Sequence, residues 1–266
     1  TQPEQPGHDF LLSGHFIVRL MRQNSEIIVL SFLLGEIFVM TQTFCDRLFK
    51  RVEPVWNAYL EHPFVKGIGT GELDHDKFRH YMRQDYVYLI EYSRLFAIGA
   101  AKADDLETMT LFANLLSGTM NFEMDLHRSY AAKFGISNED LENTYPSSTM
   151  TAYTSFMLQE AYKGGVENTA AAVLACAWSY NFIGKALAKW DGALEHEFYG
   201  SWVQTYSGEE FSKLAETCIN LVNRLAEGMP ERKLKEMEEI FVKTSYFEYM
   251  FWDMATEESM WPCEMV

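Results

Sequence analysis

The chain has 266 residues, of which 48% are hydrophobic and 23% are charged, a composition typical of a globular protein. Its 38 acidic residues outnumber its 22 lysines and arginines, so a formal net charge of −16 repels phosphate backbones and argues against nucleic-acid binding. The four cysteines (Cys45, Cys176, Cys218 and Cys263) are widely spaced and form no zinc-binding pattern, which predicts free thiols and a reducing, cytoplasmic location.

Residues 1–39 differ in pattern from the rest of the chain. Their apolar run, residues 27–38, is about twelve residues long and too short to span a bilayer. It lacks the small-residue cleavage site of a signal peptide, and Met40 resembles a natural start. We predict that residues 1–39 are an N-terminal extension, upstream of the natural start or artificially added, and that residues 40–266 are the functional domain. An extra helix, a segment used in assembly or a membrane-associated segment is the alternative.

From Thr41 onward, apolar residues recur every three to four positions, which predicts helices almost throughout. The first predicted helix ends or bends at His62-Pro63. Three glycines then predict a turn: Gly67, Gly69 and Gly71. Asp74 is a typical N-cap residue for the second helix, which is predicted to run to about Ala103.

The same periodicity continues to the end of the chain, with residues 135–148 predicted as a loop. Further helices are predicted at about 105–134, 149–162, 168–187, 210–228 and 231–254, with a short one carrying Trp202 and Tyr206. No alternating strand pattern or internal repeat is visible, and the connections are short. The sequence therefore predicts a single all-α helical bundle domain.

Two carboxyl groups fall on aromatic helix faces. Asp85 is followed at the third and seventh positions by Tyr88 and Tyr92, which predicts a polar group in an aromatic cleft. Glu248 lies between aromatic residues, with Phe251 three positions later. Burial among rings disfavours the charged form of a carboxyl group, so the pKa of Glu248 is expected to rise, as a general acid requires. The alternative is that both carboxylates are solvated on amphipathic helices.

Cys176 is a candidate nucleophile. It lies in an alanine-rich helix, with Tyr180 four positions later on the same face. A cysteine in such a place is either a small packing residue or a nucleophile. No histidine or basic residue lies within one turn of it, and Lys185 is more than two turns away, so the sequence gives no support for a Cys-His protease.

Neither a metal nor another cofactor is predicted. The pattern Glu-x-x-His occurs once, at Glu72 and His75 in a glycine-flanked turn, whereas a di-iron helical bundle needs two such pairs and two further glutamates. The sequence also has no phosphate-binding glycine loop and no nucleophile elbow.

Five short segments occur in a specific order between about Phe44 and Trp252, although each is weakly specific alone. They are Tyr81-Met-Arg-Gln-Asp85-Tyr-Val-Tyr88-Leu, Thr151-Ala-Tyr153-Thr, Ala175-Cys176-Ala-Trp-Ser-Tyr180, Trp202-Val-Gln-Thr-Tyr206 and Tyr246-Phe-Glu248-Tyr-Met-Phe251-Trp-Asp. In order and spacing the chain resembles the thiaminase II (TenA) family. The first forty residues have no counterpart in the family pattern.

The resemblance implies a helical bundle similar to haem oxygenase, without haem or another cofactor and usually tetrameric. It implies hydrolysis of 4-amino-5-aminomethyl-2-methylpyrimidine, and often of thiamine, to 4-amino-5-hydroxymethyl-2-methylpyrimidine, in the salvage of thiamine breakdown products. The expected partner is therefore a small aminopyrimidine or thiamine, without nucleic acid or membrane, and the expected assembly is a homotetramer.

By position, the resemblance also implies roles for single residues. Cys176 would attack the pyrimidine ring, Glu248 would protonate a ring nitrogen, and Asp85 would bind the amino group and ring and help to activate the thiol. The residues expected to line or order the pocket are Tyr88, Tyr153, Tyr180, Tyr206 and Phe251. A non-catalytic pyrimidine-binding or regulatory protein is the alternative to the hydrolase, and a helical metal oxidase is a third hypothesis.

Overall fold

A computed structural model describes residues 42–263 and, before them, the backbone of residues 11–12, 16–23, 26–33 and 36–40. The chain divides into two compact units between Arg47 and Leu48. The boundary expected between residues 39 and 40 stays a prediction.

The first unit contains four strands: β1 Leu11–Leu12, β2 Phe16–Gln23, β3 Glu26–Leu33 and β4 Glu36–Met40. They form an antiparallel sheet in the order β1-β2-β3-β4, in which Leu30 is opposite both Arg19 and Val39. These strands were not predicted, and the alternative of an extra helix in residues 1–39 is wrong for the part of this segment that the structure describes. Continuous apolar runs do not separate a strand from a helix by periodicity, whereas the abundance of isoleucine, valine and phenylalanine favours strands.

The rest of the described chain is helical, which confirms the all-α prediction for this part. Its elements are α1 Phe44–Glu61, α2 Pro63–Thr70, α3 His75–Lys102, α4 Leu106–Gly118, a π-helical segment Thr119–Glu123, α5 Met124–Lys133, α6 Asn138–Glu142, α7 Ser148–Lys163, α8 Val166–Leu187, α9 Gly200–Ser207, α10 Glu209–Ala226 and α11 Glu231–Glu257.

The glycine-rich turn was predicted too early in the chain. Gly67 and Gly69 lie inside α2, which begins at Pro63. The side chain of His62 caps this helix: its Nδ1 accepts a 3.1 Å hydrogen bond from the backbone N–H of Phe64. Position 69 has no room for a side chain because Trp190 packs against it: an added Cβ would lie 2.6 Å from that ring. Only Gly71, with φ of 77°, ends the helix in the left-handed conformation that favours glycine.

Two features between residues 105 and 148 were also not predicted. One is the π-helical segment, which interrupts the helix expected over 105–134; a single extra residue per turn leaves little trace in the apolar periodicity. The other is α6, within the predicted loop. Its N-terminus has a capping box in which Ser137 and Asp140 bond each other's backbone amides.

The core is built around α8, which packs against α3, α7, α9, α10 and α11. This helix is long and apolar enough to cross a membrane by length and composition, but 72% of that stretch is buried within the protein, as in a core helix. Its run Ala170–Ala172, at most 1% exposed, lets neighbouring helices approach closely. Because α3, α7 and α11 all pack on α8, side chains that are far apart in sequence meet around Cys176.

Candidate active site

A chain of hydroxyl groups links the predicted nucleophile to the predicted acid. The Tyr153 hydroxyl on α7 donates a 2.6 Å hydrogen bond to Oε1 of Glu248 on α11. The Tyr88 hydroxyl on α3 lies 3.5 Å from that of Tyr153 and is also hydrogen-bonded to the Cys176 thiol on α8. Four helices therefore contribute to one connected path from sulfur to carboxyl group.

Glu248 behaves as the sequence predicts. Only 2% of its surface is exposed. Burial raises its pKa to about 7, although the hydrogen bond from Tyr153 stabilises the charged form and opposes part of that rise. Near neutral pH the carboxyl group can both donate and accept a proton, which a general acid or base needs. The alternative of a solvated carboxylate is wrong for this residue.

Cys176 is a protonated thiol at rest. Burial raises its pKa well above the usual value, and the negative charge of Glu248 raises it further, whereas hydrogen bonding with Tyr88 lowers it. The side chain is half-buried because it faces an open cavity. Attack by sulfur therefore requires a group that removes the thiol proton as the ligand binds.

Asp85 is the second buried carboxyl group, with 8% of its surface exposed. Burial raises its pKa well above the usual value, and the charges of Glu123 and Glu248 add to the effect. Its Oδ2 lies 3.5 Å from Nδ1 of His127. The solvated alternative is wrong here too.

The cavity has a volume of about 1360 Å³ and extends from the core to the α4–α5 surface. Of the predicted site residues, Asp85, Cys176 and Tyr206 line it. The remaining ones lie behind this wall, in the layer that holds Glu248: Tyr88, Tyr153, Tyr180 and Phe251. The site thus has a cavity-lining layer and a buried supporting layer.

The supporting layer is held by aromatic contacts. Phe251 lies 6.1 Å from Tyr88 between ring centroids. Tyr180 packs edge-on against Tyr206 at 4.8 Å and accepts a 3.4 Å hydrogen bond from Tyr81. These contacts bring all eight predicted site residues into one region, while the role of each in binding or catalysis stays a prediction.

Two cavity residues were not singled out from the sequence. Glu123, in the π-helical segment, accepts a 3.2 Å hydrogen bond from Thr119, and burial raises its pKa. His127 follows four residues later and is buried. The spacing Glu-x-x-x-His on one predicted helix was the available signal, but the face on which the two side chains lie depends on the π-helical segment.

The described residues contain no group of three or more histidine, cysteine, aspartate or glutamate side chains that could hold a metal ion. The single Glu-x-x-His pair, Glu72 and His75, belongs to no such group among these residues. His75 instead packs its ring against Phe198 at 4.2 Å between centroids and edge-on against Phe134.

Comparison with known proteins gives a consistent picture. The model of the TENA/THI-4/PQQC family matches residues 49–258. A protein of Halalkalibacterium halodurans named aminopyrimidine aminohydrolase is 47% identical over 219 residues, which are 82% of this chain and 98% of the relative.

Solved structures agree with the fold. A TenA homologue from P. horikoshii superposes with a TM-score of 0.75 and 28% identity, covering 81% of this chain and 99% of the other. A domain with a haem-oxygenase-like fold from Shewanella denitrificans, 13% identical, gives a TM-score of 0.65 over 80% of this chain and 92% of that one. The haem-oxygenase-like prediction is therefore confirmed, and the chain belongs to the TENA/THI-4/PQQC family.

Proposed function

We propose that this protein is an aminopyrimidine aminohydrolase of thiamine salvage. It hydrolyses 4-amino-5-aminomethyl-2-methylpyrimidine, thiamine or both to 4-amino-5-hydroxymethyl-2-methylpyrimidine, using Cys176 as a covalent nucleophile. The observation that supports this most is the path from the Cys176 thiol through Tyr88 and Tyr153 to Glu248. The name of the H. halodurans relative supports the same reaction.

The first step needs a better electrophile than a neutral aminopyrimidine. Protonated Glu248 gives its proton to a ring nitrogen, and the Cys176 sulfur forms a bond to a ring carbon. The hydrogen bonds between hydroxyl groups are directed from Tyr88 to Tyr153 and from Tyr153 to Glu248. The thiol proton can follow this direction and restore the proton that Glu248 gives up, so no free thiolate is required.

The later steps restore the aromatic ring. The exocyclic C–N bond breaks, and the amine or thiazole leaves with the bonding electrons; the amine also takes the proton that Glu248 has regained. Water adds to the methylene carbon that remains, and the proton it loses restores Glu248 after loss of the amine or passes to solvent after loss of the thiazole. The C–S bond then breaks, and the proton on the ring nitrogen passes to the sulfur, which releases hydroxymethylpyrimidine and the thiol. Covalent catalysis in this way divides one difficult displacement into several easier steps.

The cavity is suited to a substrate whose leaving group is flat and cationic, as in thiamine. Trp202 and Tyr206 lie on its wall with ring centroids 4.5 Å apart, and Asp85 and Glu123 give it an acidic side. A cation over an aromatic face gains about 0.5–2 kcal/mol. These features support aminopyrimidines and thiamine as the substrate class without ranking the two.

The test is a parallel hydrolysis assay with aminomethylpyrimidine and thiamine, detecting hydroxymethylpyrimidine. We expect product from the wild type and none from Cys176→Ala, with product binding retained. Cys218→Ala is the matched control, because Cys218 also lines the cavity and is buried but lies outside the hydroxyl path. Unchanged turnover in Cys176→Ala would rule out the covalent mechanism.

A non-catalytic pyrimidine-binding protein is the second candidate, favoured by the raised pKa of the Cys176 thiol. It predicts binding of hydroxymethylpyrimidine by the wild type, no turnover of either compound, and equal binding by Cys176→Ala. The same assay and one calorimetric titration separate the two functions.

We further propose a cytoplasmic homotetramer whose catalytic domain is residues 40–266. Among the described cysteines, Cys176, Cys218 and Cys263 are free thiols, which supports a reducing compartment. Large apolar side chains on α4, the π-helical segment and α5 support assembly: Leu106 is 77% exposed and Phe122 is 75% exposed. Light scattering during size-exclusion chromatography should give a mass four times that of one chain. A chain starting at Met40 should keep full activity.

A further inference from the structure

His127 is a buried histidine that the proposed mechanism does not use. It lies on α5 and lines the cavity beside Asp85, with 8% of its surface exposed. Its Nε2 is 2.8 Å from the carbonyl oxygen of Met82, and its Nδ1 is 3.5 Å from Oδ2 of Asp85. A carbonyl oxygen only accepts hydrogen bonds, so neutral His127 carries its proton on Nε2 and presents Nδ1 as an acceptor.

The surroundings disfavour the charged forms of both side chains. Burial lowers the pKa of His127 to about 4 and raises that of Asp85, with Glu123 and Glu248 adding to the rise. Both side chains are therefore favoured in their neutral forms, and Oδ2 of Asp85 is the oxygen that lies 3.5 Å from the acceptor Nδ1 of His127, so a proton on Oδ2 can be donated to it. Their separation is longer than an ordinary hydrogen bond, and catalytic hydrogen bonds are often long until a ligand binds.

This arrangement distinguishes the two oxygens of Asp85. A carboxylic acid that rotates freely presents either a donor or an acceptor to the cavity, whereas one whose Oδ2–H group faces His127 leaves Oδ1 as an acceptor only. The exocyclic amino group of an aminopyrimidine is a donor and needs such an acceptor.

We propose that His127 is a positioning residue: it fixes the proton of Asp85 on Oδ2, so that Oδ1 accepts a hydrogen bond from the amino group of an aminopyrimidine. The inference rests on the function proposed above, because that function supplies the ligand. It adds a residue that acts through Asp85 and not on the ligand itself.

Two substitutions separate the two contacts of His127. His127→Gln places an amide near the position of Nε2, which keeps a donor for Met82 and removes the acceptor for Asp85. His127→Asn places the amide near Nδ1 and gives up the contact with Met82. We expect the Kd of hydroxymethylpyrimidine, measured by calorimetry, to rise about 10- to 100-fold in His127→Gln, as when an orienting partner is lost. His127→Asn should bind more tightly than His127→Gln but melt at a lower temperature.

A double-mutant cycle with Asp85→Ala, which removes both oxygens of the carboxyl group, gives the decisive result. If His127 acts through Asp85, then His127→Gln raises the Kd of the wild type but adds nothing to that of Asp85→Ala. The same factor in both backgrounds would overturn the proposal and indicate a purely structural role. A pyrimidine without the amino group supplies a second readout: its Kd should be equal in wild type and His127→Gln.

His62 provides the matched control. It is 3% exposed, and its Nε2 lies 3.1 Å from Oδ1 of Asp253, outside the cavity-lining residues. His62→Gln should leave the Kd unchanged. Because the readout is product binding, a wild type that binds but does not turn over would contradict the hydrolase alone, whereas a wild type that does not bind would overturn both proposals.

Discussion

Tyr153 donates a 2.6 Å hydrogen bond to Glu248, and the two residues come from helices α7 and α11, which are 95 positions apart in the sequence at this contact. The hydroxyl is a neutral donor that partly offsets the burial of the carboxyl group. Catalysis and stability therefore make opposite demands on this pair: the same buried carboxyl that serves as an acid is costly to bury once it is charged.

Glu248→Gln should separate these two demands. Burial raises the pKa of Glu248 from 4.5 to about 7. Below pH 4.5 the group is protonated in both the folded and unfolded chain, and between the two values the unfolded chain loses its proton first, so stability falls as pH rises and then levels off. Above pH 7 the substitution should raise the free energy of unfolding by up to about 3 kcal/mol.

The same variant should lose about 100- to 10,000-fold in kcat, the usual contribution of a general acid or base. Denaturant titrations at pH 5 and pH 8, run beside the hydrolysis assay, check both effects. A variant that is stabilised equally at the two pH values would show that Glu248 is not the group that titrates.

Tyr153→Phe should move the pH profile of the reaction in a definite direction. The Tyr153 hydroxyl donates to the charged form of Glu248, so its loss destabilises that form and raises the pKa of Glu248 further. A hydrogen bond to a charged group is worth about 1.5–3 kcal/mol, which corresponds to a shift of about one pH unit or more. The limb of kcat/KM that reports the acid should move to higher pH.

Thr154→Val is the control for this change. Thr154 is the next residue on α7, is equally buried, and bonds only the helix backbone at Met150 and Thr151. Its pH profile should match that of the wild type. A shift to lower pH in Tyr153→Phe would contradict the assigned direction of the hydrogen bond.

Gly184→Ala should disturb the cavity from behind. An added Cβ at Gly184 on α8 would lie 2.5 Å from the backbone carbon of Tyr206, which cannot move without α9. We expect a lower melting temperature and a higher KM, because Tyr206 lines the cavity. Gly118→Ala is the control for packing: its Cβ meets nothing within 4 Å, so it should stabilise the helix by about 0.5–1 kcal/mol and raise the melting temperature.

The helical elements around the site were largely predictable, because long amphipathic periods and good capping residues coincide. Asp74, for example, caps α3 by accepting from the amide two residues later, as its residue type indicates. The burial of Glu248 among rings was predictable for the same reason: its neighbours along one helix are aromatic.

What the sequence could not supply was the depth of each residue and contacts made by helices far apart in the chain. Tyr88 and Tyr153 were expected to line or order the pocket, and only the structure shows that both lie behind Cys176 and connect it to Glu248. The importance of His127 could not be predicted either, because its partner Asp85 is 42 positions away and its direction follows an unpredicted π-helical segment.

Alkylation of Cys176 gives a direct test of the Tyr88 contact, once the exposed Cys263 is removed. Cys263 is exposed and should react first with iodoacetamide, so the measurement needs a Cys263→Ser background. There, Cys176 should react ahead of Cys218, because the Cys176 side chain is only half-buried whereas Cys218 is 3% exposed. Bound hydroxymethylpyrimidine should protect Cys176.

Adding Tyr88→Phe to that background should slow the labelling of Cys176. Once the thiol has lost its proton, the Tyr88 hydroxyl can turn from Tyr153 and donate to the thiolate, which lowers the pKa of Cys176. Loss of this hydroxyl therefore leaves a smaller thiolate fraction. Tyr92→Phe is the control, since the Tyr92 hydroxyl donates to the carbonyl oxygen of Val173 and not to Cys176. Faster labelling in Tyr88→Phe, with Tyr92→Phe unchanged, would mean that Tyr88 shields the sulfur, and the hydroxyl path to Glu248 would then have no role in removing the thiol proton.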